Sequence, residues 1–157
     1  MIRPLLKLAT TTLTVSLLFS SPILAQILPP AQKPARVEIT KGPVLELATD
    51  ALAFIRWITT NPGGSDVHYA IVRYGTDPKD LSQTAKSPIR INRGHPETMF
   101  RVRVERLKPR TTYYYRVTST ESTGTSDGAE SPVSQFTTAG PGERIANSRP
   151  LPLPDVR

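Results

Sequence analysis

Along the middle of the chain, apolar and polar residues alternate with a period of two. Phe100, Val102 and Val104 are interleaved with Arg101, Arg103 and Glu105, the pattern of a strand whose alternate side chains face a core and solvent. Tyr113, Tyr115 and Val117 alternate in the same way with Tyr114, Arg116 and Thr118. Shorter β-rich runs occur at Val37-Glu38-Ile39, Leu52 to Thr59, Val67 to Tyr74, Ile89-Arg90-Ile91 and Val133 to Thr137. Turn residues separate them: Asn61-Pro62-Gly63-Gly64, Gly75-Thr76-Asp77-Pro78, Arg93-Gly94-His95-Pro96 and Lys108-Pro109-Arg110. The Ser/Thr/Gly-rich stretch from Ser119 to Ser131 reads as a flexible hairpin loop. No long stretch keeps a helical period. Six to seven short strands with this punctuation predict an all-β, antiparallel sandwich.

The ends have a different character. Arg3 and Lys7 precede a short apolar run from Leu8 to Phe19, which Ser20-Ser21-Pro22 breaks ahead of Ile23-Leu24-Ala25. A bilayer span needs about 20 apolar residues, so residues 1–25 are expected to be a cleaved export signal, leaving no integral membrane span. Residues 26–34 read as a Pro-rich linker, residues 35–139 as one domain, and residues 140–157 as a disordered Pro-rich tail. This sorting explains the 16 prolines in 157 residues, a share about twice the usual one. The chain has no cysteine, so a secreted or periplasmic domain must rely on its core rather than on disulfides.

Several residues of the predicted domain resemble a known family. Ile55-Arg56-Trp57, Val72-Arg73-Tyr74-Gly75 and Leu107-Lys108-Pro109-Arg110-Thr111-Thr112-Tyr113, running on into Tyr114-Tyr115-Arg116-Val117, are similar to an immunoglobulin-like fibronectin type III sandwich of about seven strands. With the closing Gln135-Phe136-Thr137-Thr138, they are most similar to the N-terminal domain that precedes the catalytic domain of purple acid phosphatases. By phase, Ile55, Trp57, Val72, Tyr74, Tyr115 and Val117 are expected in the core, with Phe136 from the last strand. Tyr113 suits a tyrosine corner, its hydroxyl returning to upstream backbone, with Leu107 plugging the crossing.

The chemistry-bearing residues point away from catalysis. Phosphatases of this resemblance carry two metals in a separate domain, on motifs such as G-D-x-x-Y and G-N-H, and neither motif occurs here. The stretch after Thr138 is too short for such a domain, so the expectation is an accessory module and not an enzyme, with no cofactor and no metal site. The two histidines have bland readings: His68 as a surface or core-rim imidazole, His95 as an exposed turn residue. The hydroxyls between Ser119 and Ser131 have no acid–base partner at a defined spacing, and Asp127-Gly128 reads as a turn signal.

What remains is a surface. If Tyr113, Tyr115 and Val117 point inward, Tyr114 and Arg116 point outward, and Tyr69, Ile71 and Arg73 share that outer face. Tyr and Arg are enriched at interfaces, so these five residues form the candidate interaction face. The other sheet is expected to expose Phe54, Arg56 and Ile58 beside Arg101 and Arg103, whose stems shield the apolar groups. The formal net charge is +7, of which Arg3 and Lys7 would leave with the signal. The basic residues are scattered among acids with no aromatic–basic platform, which argues against nucleic acid. A protein or an anionic cell-surface polymer is the expected partner. The leading reading is an exported, non-catalytic binding module. The alternatives are an accessory domain or remnant of a purple acid phosphatase-like enzyme, and a structural cell-surface spacer. The oligomeric state has no signature in the sequence.

Overall fold

A computed structural model describes residues 33–34 and 36–146. The expected export signal, most of the linker and the end of the expected tail lie outside the described residues. Nine strands run through the described part: β1 (Ile39–Ala48), β2 (Leu52–Thr60), β3 (Val67–Gly75), β4 (Gln83–Arg90), β5 (Glu97–Glu105), β6 (Thr112–Glu121), β7 (Ser126–Glu130), β8 (Ser134–Thr137) and β9 (Ile145–Ala146). They form two antiparallel sheets. One has the order β5-β2-β1-β9, and the other has the order β4-β3-β6-β7, with β8 also pairing with β6. The fold is an all-β sandwich of the fibronectin type III kind.

The period-two strands bury the residues their phase selects. Ile55 and Trp57 on β2 and Phe100, Val102 and Val104 on β5 face Val72 and Tyr74 on β3, Tyr113, Tyr115 and Val117 on β6, and Phe136 on β8, all in one buried cluster. Trp57 and Phe100 are cross-strand partners, stacked with ring centroids 5.4 Å apart. Tyr113 and Phe136, likewise partners, stack at 5.7 Å. Aromatic pairs of this kind add about 0.5–1.5 kcal/mol beyond their buried area.

The corner between β5 and β6 is tied by the Lys108 amide, which donates to the Tyr113 hydroxyl at 2.9 Å. Buried Leu107 lies beneath it, its own amide donating to the Ala51 carbonyl at 3.0 Å. Thr138 locks the same corner by donating to the Lys108 carbonyl and accepting the Thr111 amide.

The structure corrects several strand expectations. β1 is ten residues long, where a run of only Val37 to Ile39 was expected. Gly42-Pro43 reads as a breaker, and register irregularities between Ile39 and Lys41, Lys41 and Val44, and Leu45 and Leu47 erase the alternation. Gly42 is what lets the strand continue. Its φ is +82°, and a Cβ there would lie 2.9 Å from the Arg56 carbonyl oxygen, so only glycine fits this bend without strain.

β4 begins at Gln83 and not at Ile89, because it is a polar edge strand containing Pro88 and offers no run of apolar positions. The expected loop from Ser119 to Ser131 holds the end of β6 and all of β7. Asp127 and Ala129 alternate inward there, but the inward polar residue hides the strand pattern. Ile145–Ala146, inside the segment expected to be tail, pairs with Leu47 and Ala48 of β1. Ile58 was expected to be exposed and is buried, held between its cross-strand partners Lys41 and Met99.

Candidate interaction face

The outward positions of β4, β3 and β6 form one continuous surface. The register sets Tyr69 opposite Thr120, Ile71 opposite Thr118, Arg73 opposite Arg116, and Gly75 opposite Tyr114. Arg73, Arg116 and Tyr114 therefore lie in one cluster. Tyr69 stands four residues from Arg73 on the same strand, roughly 13 Å away, with Ile71 between them. Arg73 is exposed and the other four are half-buried.

Two arginines directly opposite each other repel, and like charges so placed weaken a sheet. Arg116 is compensated by Glu130 on β7, at 3.0 Å. Arg73 makes no ion pair among the described residues. Tyr69 carries the Lys86 ammonium of β4 over its ring, 3.6 Å from the centroid.

The outer face of the other sheet pairs most of its cations internally, and Arg56, directly opposite Arg101, is the one strand cation there without an ion pair among the described residues. Arg101 pairs with Glu46 at 2.6 Å while its guanidinium lies over Phe54, Arg103 pairs with Glu105 at 2.8 Å, and Lys41 pairs with Glu97 at 3.8 Å. It is the Arg101 guanidinium that lies over Phe54, where shielding by arginine stems was expected. A separate cleft of about 500 Å³ lies between Arg36–Ile39 and Gly128–Pro132. The Arg36–Glu38 ion pair sits beside it, and it gathers no cluster of catalytic groups.

His68 is the residue the sequence reading misplaced. Its side chain is fully buried, not at the surface or rim. Nδ1 meets the Asp127 carboxylate at 2.9 Å, and Nε2 meets the Gly63 and Ser65 carbonyls at 3.0 Å each. Both ring nitrogens are engaged, Nδ1 by a carboxylate oxygen and Nε2 by two backbone carbonyls. Ser119 donates to the same Asp127 oxygen at 2.6 Å. A Ser, a His and an Asp thus meet, but in an order that cannot activate a nucleophile. The hydroxyl and the imidazole both bind the carboxylate, and the second imidazole nitrogen is occupied by backbone.

The network pins the β2–β3 loop, β3, β6 and β7 together, and it extends outward through Glu121. That carboxylate accepts Lys33 Nζ at 2.9 Å and the Ser65 hydroxyl at 2.9 Å. These two bonds, Lys33 first, hold its pKa below the usual carboxylate value. His95 is exposed in its turn, as its local sequence suggests, with Nδ1 beside the Glu97 carbonyl at 2.9 Å. Among the described residues, no group of three or more His, Cys, Asp or Glu side chains could hold a metal ion. No helix there is long and apolar enough to cross a membrane.

The sequence profile described as "Purple acid Phosphatase, N-terminal domain" matches residues 43–138. No curated protein matches the chain. Among solved structures, the chain is similar to the sensor domain of the anti-sigma factor RsgI4 in Pseudobacteroides cellulosolvens. That match has 21% identity over 78% of this chain and 91% of that one, with a TM-score of 0.47. It is also similar to the fn3 domain of human contactin 1, at 16% identity over 76% of this chain and 91% of that one, with a TM-score of 0.42. The FN5 domain of Drosophila Lar matches at 16% identity over 66% of this chain and 96% of that one, with a TM-score of 0.39.

Proposed function

The chain belongs to the family of purple acid phosphatase N-terminal domains, and from that premise we propose that it acts as an exported, non-catalytic interaction module. Its partner, a protein or an anionic polymer of the cell envelope, docks on the outer face of the five-stranded sheet through Tyr69, Ile71, Arg73, Tyr114 and Arg116. Residues 1–25 serve as the export signal, and the Pro-rich segments at 26–34 and after Ala146 tether a folded unit that includes β9.

One observation carries the reading. Arg73 stands directly opposite Arg116 with no acid of its own among the described residues, a placement that costs stability and that an anionic or acceptor-rich partner would relieve. The flanking Tyr114 supplies the rigid aromatic area that interface anchors use. The test is binding to a cell-envelope fraction. The double variant Arg73→Ala with Tyr114→Ala should lose binding while its melting temperature stays near that of the parent; equal binding by the two proteins removes the proposal.

A second reading rests on the family match itself. In it, the domain serves a separate metallophosphoesterase chain as an accessory subunit. A metallophosphoesterase reading frame beside this one would favour that reading, and co-purification of the two chains would establish it.

A further inference from the structure

The face just described is larger and more basic than the five residues first assigned to it. On β4, Lys86 is the partner of Ile71 and Arg90 the partner of Val67, so both point outward on the same surface, and both are exposed. Neither makes an ion pair among the described residues, and neither does Arg73. Across three strands the cations therefore run Arg90, Lys86, Arg73, Arg116. Sheet geometry separates them by roughly 13 Å, roughly 8 Å and roughly 5 Å in turn. Glu130 is the one acid among the described strand residues of this face, and it is engaged by Arg116. The opposite face pairs Lys41, Arg101 and Arg103 with acids of its own and leaves Arg56, opposite Arg101, without an ion pair among the described residues, one such cation against three. The surplus positive charge of the sandwich strands is thus concentrated on one side, along a diagonal.

We propose that this diagonal binds a linear carboxylated polysaccharide; the assignment rests on the interaction-module reading and specifies its partner. The track is open and long, which suits a polymer lying across the sheet rather than a small ligand held in a pocket. The cations and the aromatic ring are adjacent. Tyr114 lies on β6 two residues from Arg116 and opposite Gly75, so a sugar ring stacked on it places a ring-borne carboxylate within reach of the Arg73 and Arg116 forks. Guanidinium groups match carboxylate geometry with two parallel bonds. A uronate carries its anion on the sugar ring, as this arrangement requires, whereas a phosphodiester-linked polymer carries it between units. Tyr69 plays another part, holding the Lys86 ammonium in place before any ligand arrives.

The test is titration of the full chain with polygalacturonate, with neutral dextran and phosphatidylglycerol vesicles as the comparison probes. Polygalacturonate should bind, dextran should not, and the affinity should fall as salt is raised, because exposed charges are screened. The triple variant Arg73→Gln, Lys86→Gln, Arg90→Gln should weaken binding at least about tenfold with no change in melting temperature. Glu130→Gln, which frees Arg116, should strengthen it. If the vesicles or an acidic protein bind with the same sensitivity to the triple variant and polygalacturonate does not, the polysaccharide assignment is overturned and the interaction face stands. If polygalacturonate binds the triple variant and the parent equally, both the assignment and the face are overturned.

Discussion

Trp57 and His68 show how single residues hold this sandwich, one by area and one by hydrogen bonds. Trp57 is fully buried on β2 against Phe100, and a buried tryptophan covers about 150–250 Å². Trp57→Ala should cost about 3–5 kcal/mol, read as a lower midpoint in urea unfolding; a negligible loss would mean that the indole does not anchor the core. His68 has the same burial without the apolar surface. Removing it strands the Asp127 carboxylate, which already has one oxygen without a partner. His68→Ala should therefore cost about 1–3 kcal/mol, the penalty for leaving a buried acceptor without its partner, and a variant as stable as the parent would show that the pair adds nothing. The two residues also differ in how far the sequence announces them. Trp57 sits in an alternating run, so its phase is readable locally. His68 takes its meaning from Asp127, 59 residues further on, inside a segment whose composition is that of a loop, and no local pattern joins the two.

At the scale of elements, regularity of register decides how much is readable. β2, β3, β5 and β6 alternate cleanly, β5 even at the edge of its sheet, because the β2–β5 and β3–β6 pairings run without a register shift. β1 and β7 carry irregular register, and β4 is polar along its edge, so the apolar pattern fails there while the backbone pairing holds. The same failure hides Lys86 and Arg90, which belong to the candidate face only once β4 is seen to pair with β3.

Gly42→Ala tests the bend in β1. A side chain at a positive φ, pressed against the Arg56 carbonyl, should cost more than about 1 kcal/mol and raise amide exchange in Ile39 to Lys41; unchanged exchange would mean that the bend tolerates a side chain. Lys33 is fastened to Glu121, and this contact gives a pH signature. The Glu121 pKa is lowered in the folded chain, so its contribution is present above the unfolded carboxylate pKa and is lost as pH falls through the folded value. Glu121→Gln should flatten the acid limb of a stability–pH curve below the ordinary carboxylate range. Identical curves for the variant and the parent would remove the Lys33 and Ser65 bonds from the account.

At the scale of the whole molecule, family and fold were both legible in the sequence, because the corner around Tyr113 and the run at Val72-Arg73-Tyr74-Gly75 are local. The asymmetry of charge between the two faces was not, since it depends on which acids reach which bases across strands. The proposed non-catalytic role predicts that the purified chain with added iron, zinc or manganese hydrolyses a chromogenic phosphate monoester no faster than its heat-denatured control, and a rate clearly above that control would show a catalytic function.

The most direct measurement compares the two faces of the sandwich in one experiment: binding of the parent, Arg73→Glu and Arg101→Glu to a cell-envelope fraction at low salt, with melting temperatures recorded alongside. Charge reversal at Arg73 should lower binding at least about tenfold, and reversal at Arg101 should leave it near the parent value. Equal binding by all three proteins, or a loss confined to the Arg101 variant, would contradict the assignment of function to the outer face of the five-stranded sheet.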